Sequence, residues 1–224
     1  MALTQIKSSN ITDGTIVNAD VSGTAAITAS KLSGVESGLT SVQTFTASGT
    51  WTKPTGITKV IVHVQGAGGA SVNTTAPAGS GGGGAGGYAC KFLDVTNIDT
   101  ATVTIGAGAA ASTGGASTFA KLAGSGSFTD VVGNGGRVAA SGYTSDPVAG
   151  GTATGGDINI QGGNGAGCNG NDSNQWGGNS FFGQGGRPVS TGNPRTRQGI
   201  EMPLCRRGNT SRVIAHDAVS LTED

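Results

Sequence analysis

Large apolar side chains are scarce in this chain. Seven Leu, 12 Ile, 17 Val and six Phe make 42 of 224 residues, just under one fifth. That is the range in which disorder becomes a live alternative. Charge of one sign is missing too: 13 Lys and Arg balance 13 Asp and Glu. Without self-repulsion the disorder signature is incomplete. Without a net field, nothing steers the chain to nucleic acid or to an anionic membrane. No run approaches the roughly 18 apolar residues of a membrane span. Residues 1–9 lack the apolar stretch of a secretory signal, so synthesis in the cytoplasm is expected. Cys90, Cys168 and Cys205 are far apart, odd in number and free of any CxxC pair, which fits a redox-indifferent protein. His63 and His216 are the two histidines, and no cysteine lies near either in sequence. That is too little for a metal cluster, and no cofactor is expected.

What the chain has instead is glycine. There are 43, of which 34 fall between Gly66 and Gly186. Each ordered residue costs roughly 1–2 kcal/mol of backbone entropy. With few large side chains to offset that cost, the expectation is extensive backbone hydrogen bonding and a core shared between subunits. An oligomer is therefore expected on physical grounds.

Three regions follow from the pattern. In residues 1–40, Ile6, Ile11, Ile16 and Val21 recur every five residues. Five fits neither the helical period of 3.6 nor the strand period of two, and heptads are absent. The expectation is an intertwined or solenoid-like β segment too short to stand alone. Residues 41–186 alternate short strand candidates with long glycine tracts. The candidates are 42–47, 60–64, 88–95, 102–105, 131–132 and 157–161, the last with clean alternation in DINIQ. The run Val60 to Val64 reads as a buried strand. This pattern predicts an all-β fold. The glycine tracts lack the every-third-residue spacing of collagen. Two readings stay open: flexible loops, or extended left-handed threefold helices that pack closely for want of side chains. Residues 187–224 differ again. Six of the seven arginines, Arg187, Arg195, Arg197, Arg206, Arg207 and Arg212, fall within 187–212, with Glu201 the lone acid there. A strand is expected at 212–215.

Motifs for chemistry are weak. GSGGGG at Gly79 and GAGCNG at Gly165 match GxGxxG, but neither has the following helix that dinucleotide binding requires. His216-Asp217 has no GxSxG partner. The acids are scattered singly, unlike the paired carboxylates of glycan hydrolysis. An enzyme is not expected. The arginine cluster suits an anionic polymer held by bidentate contacts, an acidic surface on another protein, or a solvated segment. No aromatics interleave with it, which argues against nucleic acid.

The opening MALTQIKSSNITDGTIVNADVSGTAAITASKL resembles the N-terminal segment of phage tail-fibre proteins. FTASGTWTKPTGITKVIVHVQGAGG at 45–69 resembles the start of the glycine-rich domain of such fibres. TVTIGAGAAASTGGASTF at 102–119 and WGGNSFFGQGG at 176–186 agree in order. Residues 187–224 fall outside the resemblance. It implies a homotrimeric fibre or adhesin of the virion, most simply a tail fibre for host-cell attachment. Residues 1–40 would then be the attachment or shaft segment, and the glycine loops the host-facing surface. The alternative is a structural virion component (adaptor, collar or head fibre) that touches no receptor. Implied partners are other tail or collar proteins and a host surface glycan or outer-membrane protein. Candidate partner or receptor contacts are the six arginines above with Tyr88, Trp176, Phe181 and Phe182. The family carries no catalytic residues to transfer.

Overall fold

A computed structural model describes residues 41–71, 81–108, 112–139, 146–167, 176–186 and 211–218. All lie within one compact unit, Ser37–Ser220. The five-residue repeat at Ile6 to Val21, and Arg187, Arg195, Arg197, Arg206 and Arg207, fall outside the described residues.

The described chain is all-β, as the alternation of short apolar runs predicts. Its strands are β1 (Ser41–Phe45), β2 (Gly49–Thr52), β3 (Lys59–Gln65), β4 (Tyr88–Asp94), β5 (Thr100–Thr104), β6 (Ser117–Ala123), β7 (Val131–Gly133), β8 (Ala153–Thr154), β9 (Ile158–Ile160) and β10 (Arg212–Ala218). They form two five-stranded antiparallel sheets. The first runs β1-β10-β3-β4-β9 and the second β2-β5-β6-β7-β8.

One face of each sheet packs on the other. Val60, Val62 and Val64 of β3 point inward with Ala89 and Leu93 of β4 and Val213 and Ala215 of β10. Trp51, Ala101, Val103, Phe119 and Val131 of the second sheet meet them. Trp51 and Phe119 lie edge to face, ring centroids 5.7 Å apart. The scarce large side chains are thus concentrated in a sandwich core. The run at 60–64, expected as a buried strand, is buried on one face: Ile61 and His63 are only part-buried on the opposite side. A β-branched run without alternation does not by itself distinguish a central strand from a half-open one.

Three strands were invisible in the sequence pattern: β2, β6 and the two-residue β8. β2 has one large inward residue, Trp51, set among Thr and Gly. β6 begins in the Ser-Thr end of a glycine tract, and Phe119 is its large inward residue. β10 follows the arginine-rich stretch yet lies inside the first sheet, paired with β1 on one side and β3 on the other.

The described parts of the glycine tracts are ordered. Beyond β3, Gly66 N–H donates to Gly87 O and Gly69 N–H to Gly84 O, both at 2.9 Å. Ala67 N–H donates to Gly115 O (3.1 Å) and Ala70 N–H to Ser112 O (3.2 Å). Gly82 and Ala85 donate to Ala166 and Gly163, each at 3.0 Å. Gly87 and Gly84 donate to Asn134 (2.8 Å) and Arg137 (3.0 Å), which in turn donate to Thr152 (2.8 Å) and Ala149 (3.1 Å). In each run a step of three along one segment matches a step of three along its partner. Gly136 and Ala139 donate to Ala67 and Ala70, a parallel pair with the same step.

A step of three matches the three residues per turn of a polyproline-II-like chain, not the strand period of two. Adjacent residues of one segment bond to different neighbours, as Gly66 and Ala67 do, so the segments form a bundle and not a sheet. Residues 81–87 are all buried and run through its middle. Such closeness requires glycine. A Cβ on Gly84 would overlap the carbonyl oxygen of Ala149, and one on Gly136 would overlap that of Gly84. Each hydrogen bond contributes about 0.5–1.5 kcal/mol net, which compensates in number for the small apolar core.

Replacing Gly84 by Ala is expected to cost about 3 kcal/mol and lower the thermal midpoint by roughly 6–12 °C. Gly49→Ala, where nothing lies within 4 Å of the new carbon, should change stability by less than about 1 kcal/mol. Thermal melts of the two variants check both values.

Candidate functional site

The domain has two distinct ends. β3 runs from Lys59 to Gln65 and enters the bundle at Gly66, so Val64 marks the bundle side of the sandwich. Phe45 pairs with Val213 and Val213 with Val64, whereas Ser41 pairs with Asp217 and Asp217 with Val60. Ser41, where the preceding 40 residues join, therefore lies at the end of the sandwich away from the bundle.

The bundle's far end is built differently. Ala70 N–H donates to Ser112 O, Ala139 N–H to Ala70 O (2.9 Å), and Ala166 N–H to Trp176 O (2.9 Å). Gly66 and Gly87 pair beside the strands, Gly69 and Gly84 one turn further out, and Gly82 with Ala166 beyond that. Ala70, Ser112, Ala139, Ala166 and Trp176 thus lie together, opposite the sandwich. The Trp176 side chain is 54% exposed there.

The sequence-derived aromatic candidates separate. From Trp176 the chain runs back along the bundle to Asn179, which accepts from Gly163 N–H (2.8 Å). A tight turn closed by the Ser180–Gly183 bridge then presents Phe181 and Phe182. Phe181 stacks on Tyr88, centroids 3.8 Å apart and planes within 9°. Phe182 meets both rings edge-on, at 5.6 Å from Tyr88 and 5.1 Å from Phe181. The Arg212 guanidinium lies 5.2 Å from the Phe182 ring centre. Tyr88 is 3% exposed, so it is the base on which the phenylalanines rest. Of the six arginines only Arg212 is described, and it faces this cluster.

Tyr88 leads to a group that sequence reading treated as isolated residues. Its hydroxyl lies 2.6 Å from Nδ1 of His63. Burial, and then the neighbouring Cys90, push the Tyr88 pKa well up, so the phenol keeps its proton and shares a hydrogen bond with the imidazole. The His216 ring stands edge-on to His63, 5.0 Å between centroids. Burial first, and charge on His216 second, hold His63 below its ordinary 6.5. Burial likewise raises the Cys90 thiol, with Asp157 adding to it and a hydrogen bond from Tyr88 opposing. Two-residue alternation in β3 and β10 could have flagged the pairing, but only once β10 was known to sit beside β3. Among the described residues, no three metal-ligating side chains come together.

Because the folded chain disfavours a proton on His63, the unfolded chain binds more protons once pH falls to 6.5 and below. Stability is therefore expected to be flat above that value and to fall as pH drops toward about 5. Asp94 is held below 3.8 by hydrogen bonding from Thr96, and Asp157 by the Phe92 N–H and then Lys91. Their contributions are lost only at lower pH. Thermal melts across this range should show the fall in the parent protein and a flatter profile in His63→Gln.

The family model of the glycine-rich domain matches residues 40–212. No curated protein matches the chain. The match spans β1 to β9 and the whole described bundle, and the chain belongs to the glycine-rich domain family.

Proposed function

We propose that this chain is a phage virion fibre protein, a homotrimeric tail fibre that attaches the particle to its host cell. The observation that carries the reading is the polarity of the domain. The chain enters at Ser41, and the bundle presents Trp176 and the other outer segment ends at the opposite end. Residues 1–40 would join other tail or collar proteins of the particle. The far end of the bundle would meet a host surface glycan or an outer-membrane protein.

The physical argument is one of rigidity. Recognition residues work best when a stiff scaffold positions them. A bundle bonded backbone to backbone, with glycine at each close approach, supplies that stiffness without large side chains. An exposed indole offers a broad apolar surface at small entropic cost. Three copies on one particle-bound fibre would turn weak single contacts into firm attachment.

Purified protein is expected to adsorb to host cells and to compete with the particles for them. Trp176→Ala should weaken competition roughly tenfold or more while leaving the melting temperature unchanged. Absence of competition at saturating protein would reject host attachment. If the protein nonetheless enters particles, a structural virion role would stand in its place.

A further inference from the structure

The outer face of the first sheet holds most of the exposed large apolar side chains. Two cross-strand rows define it. One runs Phe92, Ile61, His216, Val42 across β4, β3, β10 and β1; the other runs Ile158, Cys90, His63, Ile214, Thr44 across β9 to β1. Val42, Phe92, Ile158 and Ile160 are between 41% and 54% exposed, and Phe181 and Phe182 extend the patch toward the bundle. A chain with so few large apolar residues leaves six of them uncovered on one side. Soluble single chains rarely expose so contiguous a patch.

We infer that this face is where copies of the chain associate side by side. The inference rests on the fibre reading and names the surface that would build its oligomer. Three observations favour a second copy as the occupant. The chain carries 13 positive and 13 negative side chains, so like copies meet without net repulsion. Charge is confined to the rim of the face. Lys59 and Asp94 are paired in register at the Ser41 end, and Arg212 lies against Phe182 at the other. An apolar patch with its charges at the rim is the anatomy of a homomeric interface. Finally, the strands of this face continue into the bundle, so the face lies along the domain's length. Copies packed on it around a common axis parallel to the strands keep every Ser41 at one end and every bundle tip at the other.

The centre of the face is a pair of imidazoles, His63 and His216, in edge-on contact. The titratable and charged groups around them are Tyr88 and Cys90 of β4, Arg212 of β10, and Lys59 of β3. The nearby acids are otherwise engaged: Asp94 accepts from Thr96 N–H, and Asp157 from Phe92 N–H and Lys91. A second copy laid over this pair removes further water from His63, whose charged form burial already disfavours, so association weakens as pH falls.

Sedimentation equilibrium of the full chain tests this. At about pH 7.5 the parent should be a multimer, and Phe92→Lys/Ile158→Lys should associate at least tenfold more weakly, with unchanged circular dichroism. If the lysines impair folding, Phe92→Thr/Ile158→Thr serves instead. At about pH 5 the parent should dissociate, while His63→Gln/His216→Gln keeps its mass. A monomeric parent at neutral pH, or variants with the parent's mass, would overturn the assignment of this face. A parent mass indifferent to pH would overturn the role of the imidazoles. An intact multimer that fails to adsorb to cells rejects host attachment alone and leaves this interface standing.

Discussion

Backbone-to-backbone hydrogen bonding between segments without side chains is the constraint on which the rest of this structure depends. The bond from Gly66 to Gly87 starts a register that repeats every three residues through Gly69 and Gly84. Neighbouring segments take up the same step. Because a Cβ at Gly69, Gly84 or Gly136 would overlap a neighbour's carbonyl oxygen, the separation between segments is set by backbone atoms alone. The glycine content is therefore a packing requirement. It carries a large entropic cost in the unfolded chain, and hydrogen bonds in number offset it.

The sandwich and the bundle divide the work. The sandwich collects Trp51, Phe119 and the inward valines into a conventional core, and its strands run directly into the bundle at Gln65 and Tyr88. Gln65 ties the junction: its side-chain amide donates to Gly86 O at 2.8 Å and to Gly87 O at 3.2 Å. Register fixed by the β3–β4 ladder and its buried inward face is handed on to segments with no side-chain pattern of their own. That coupling explains how a glycine tract can hold one register when nothing in it discriminates one residue from the next.

Much of the fold was legible where apolar residues cluster. β3, β4, β5 and β9 fall where runs of β-branched and apolar residues predict, and in β5 the alternation survives because one face of the strand is buried. β2 and β6 were not legible, since each inserts a single aromatic among small polar residues, and neither was β8, which is two residues long. The bundle was left open between flexible loops and extended threefold helices, and glycine composition cannot decide between them. Long-range partners decide it: Gly82 bonds to Ala166, 84 residues away in number, and no local signal reports that. The aromatic candidates were half legible. Tyr88, Trp176, Phe181 and Phe182 stand out as rare large residues in a glycine background, but the sequence does not say that Trp176 lies at the bundle tip while the others gather on a sheet face. The His63–His216 contact was illegible for the same reason: it exists only because β10 returns to lie beside β3.

The central claim is that the glycine tracts form an ordered, hydrogen-bonded bundle continuous with the sandwich. Amide hydrogen exchange followed residue by residue tests it most directly. The account predicts that Gly82, Gly84, Ala85 and Gly87 exchange as slowly as the amides of β3, because each donates to a partner segment in a buried setting. Exchange of those four amides at the rate of an unstructured chain, with β3 still protected, would contradict it.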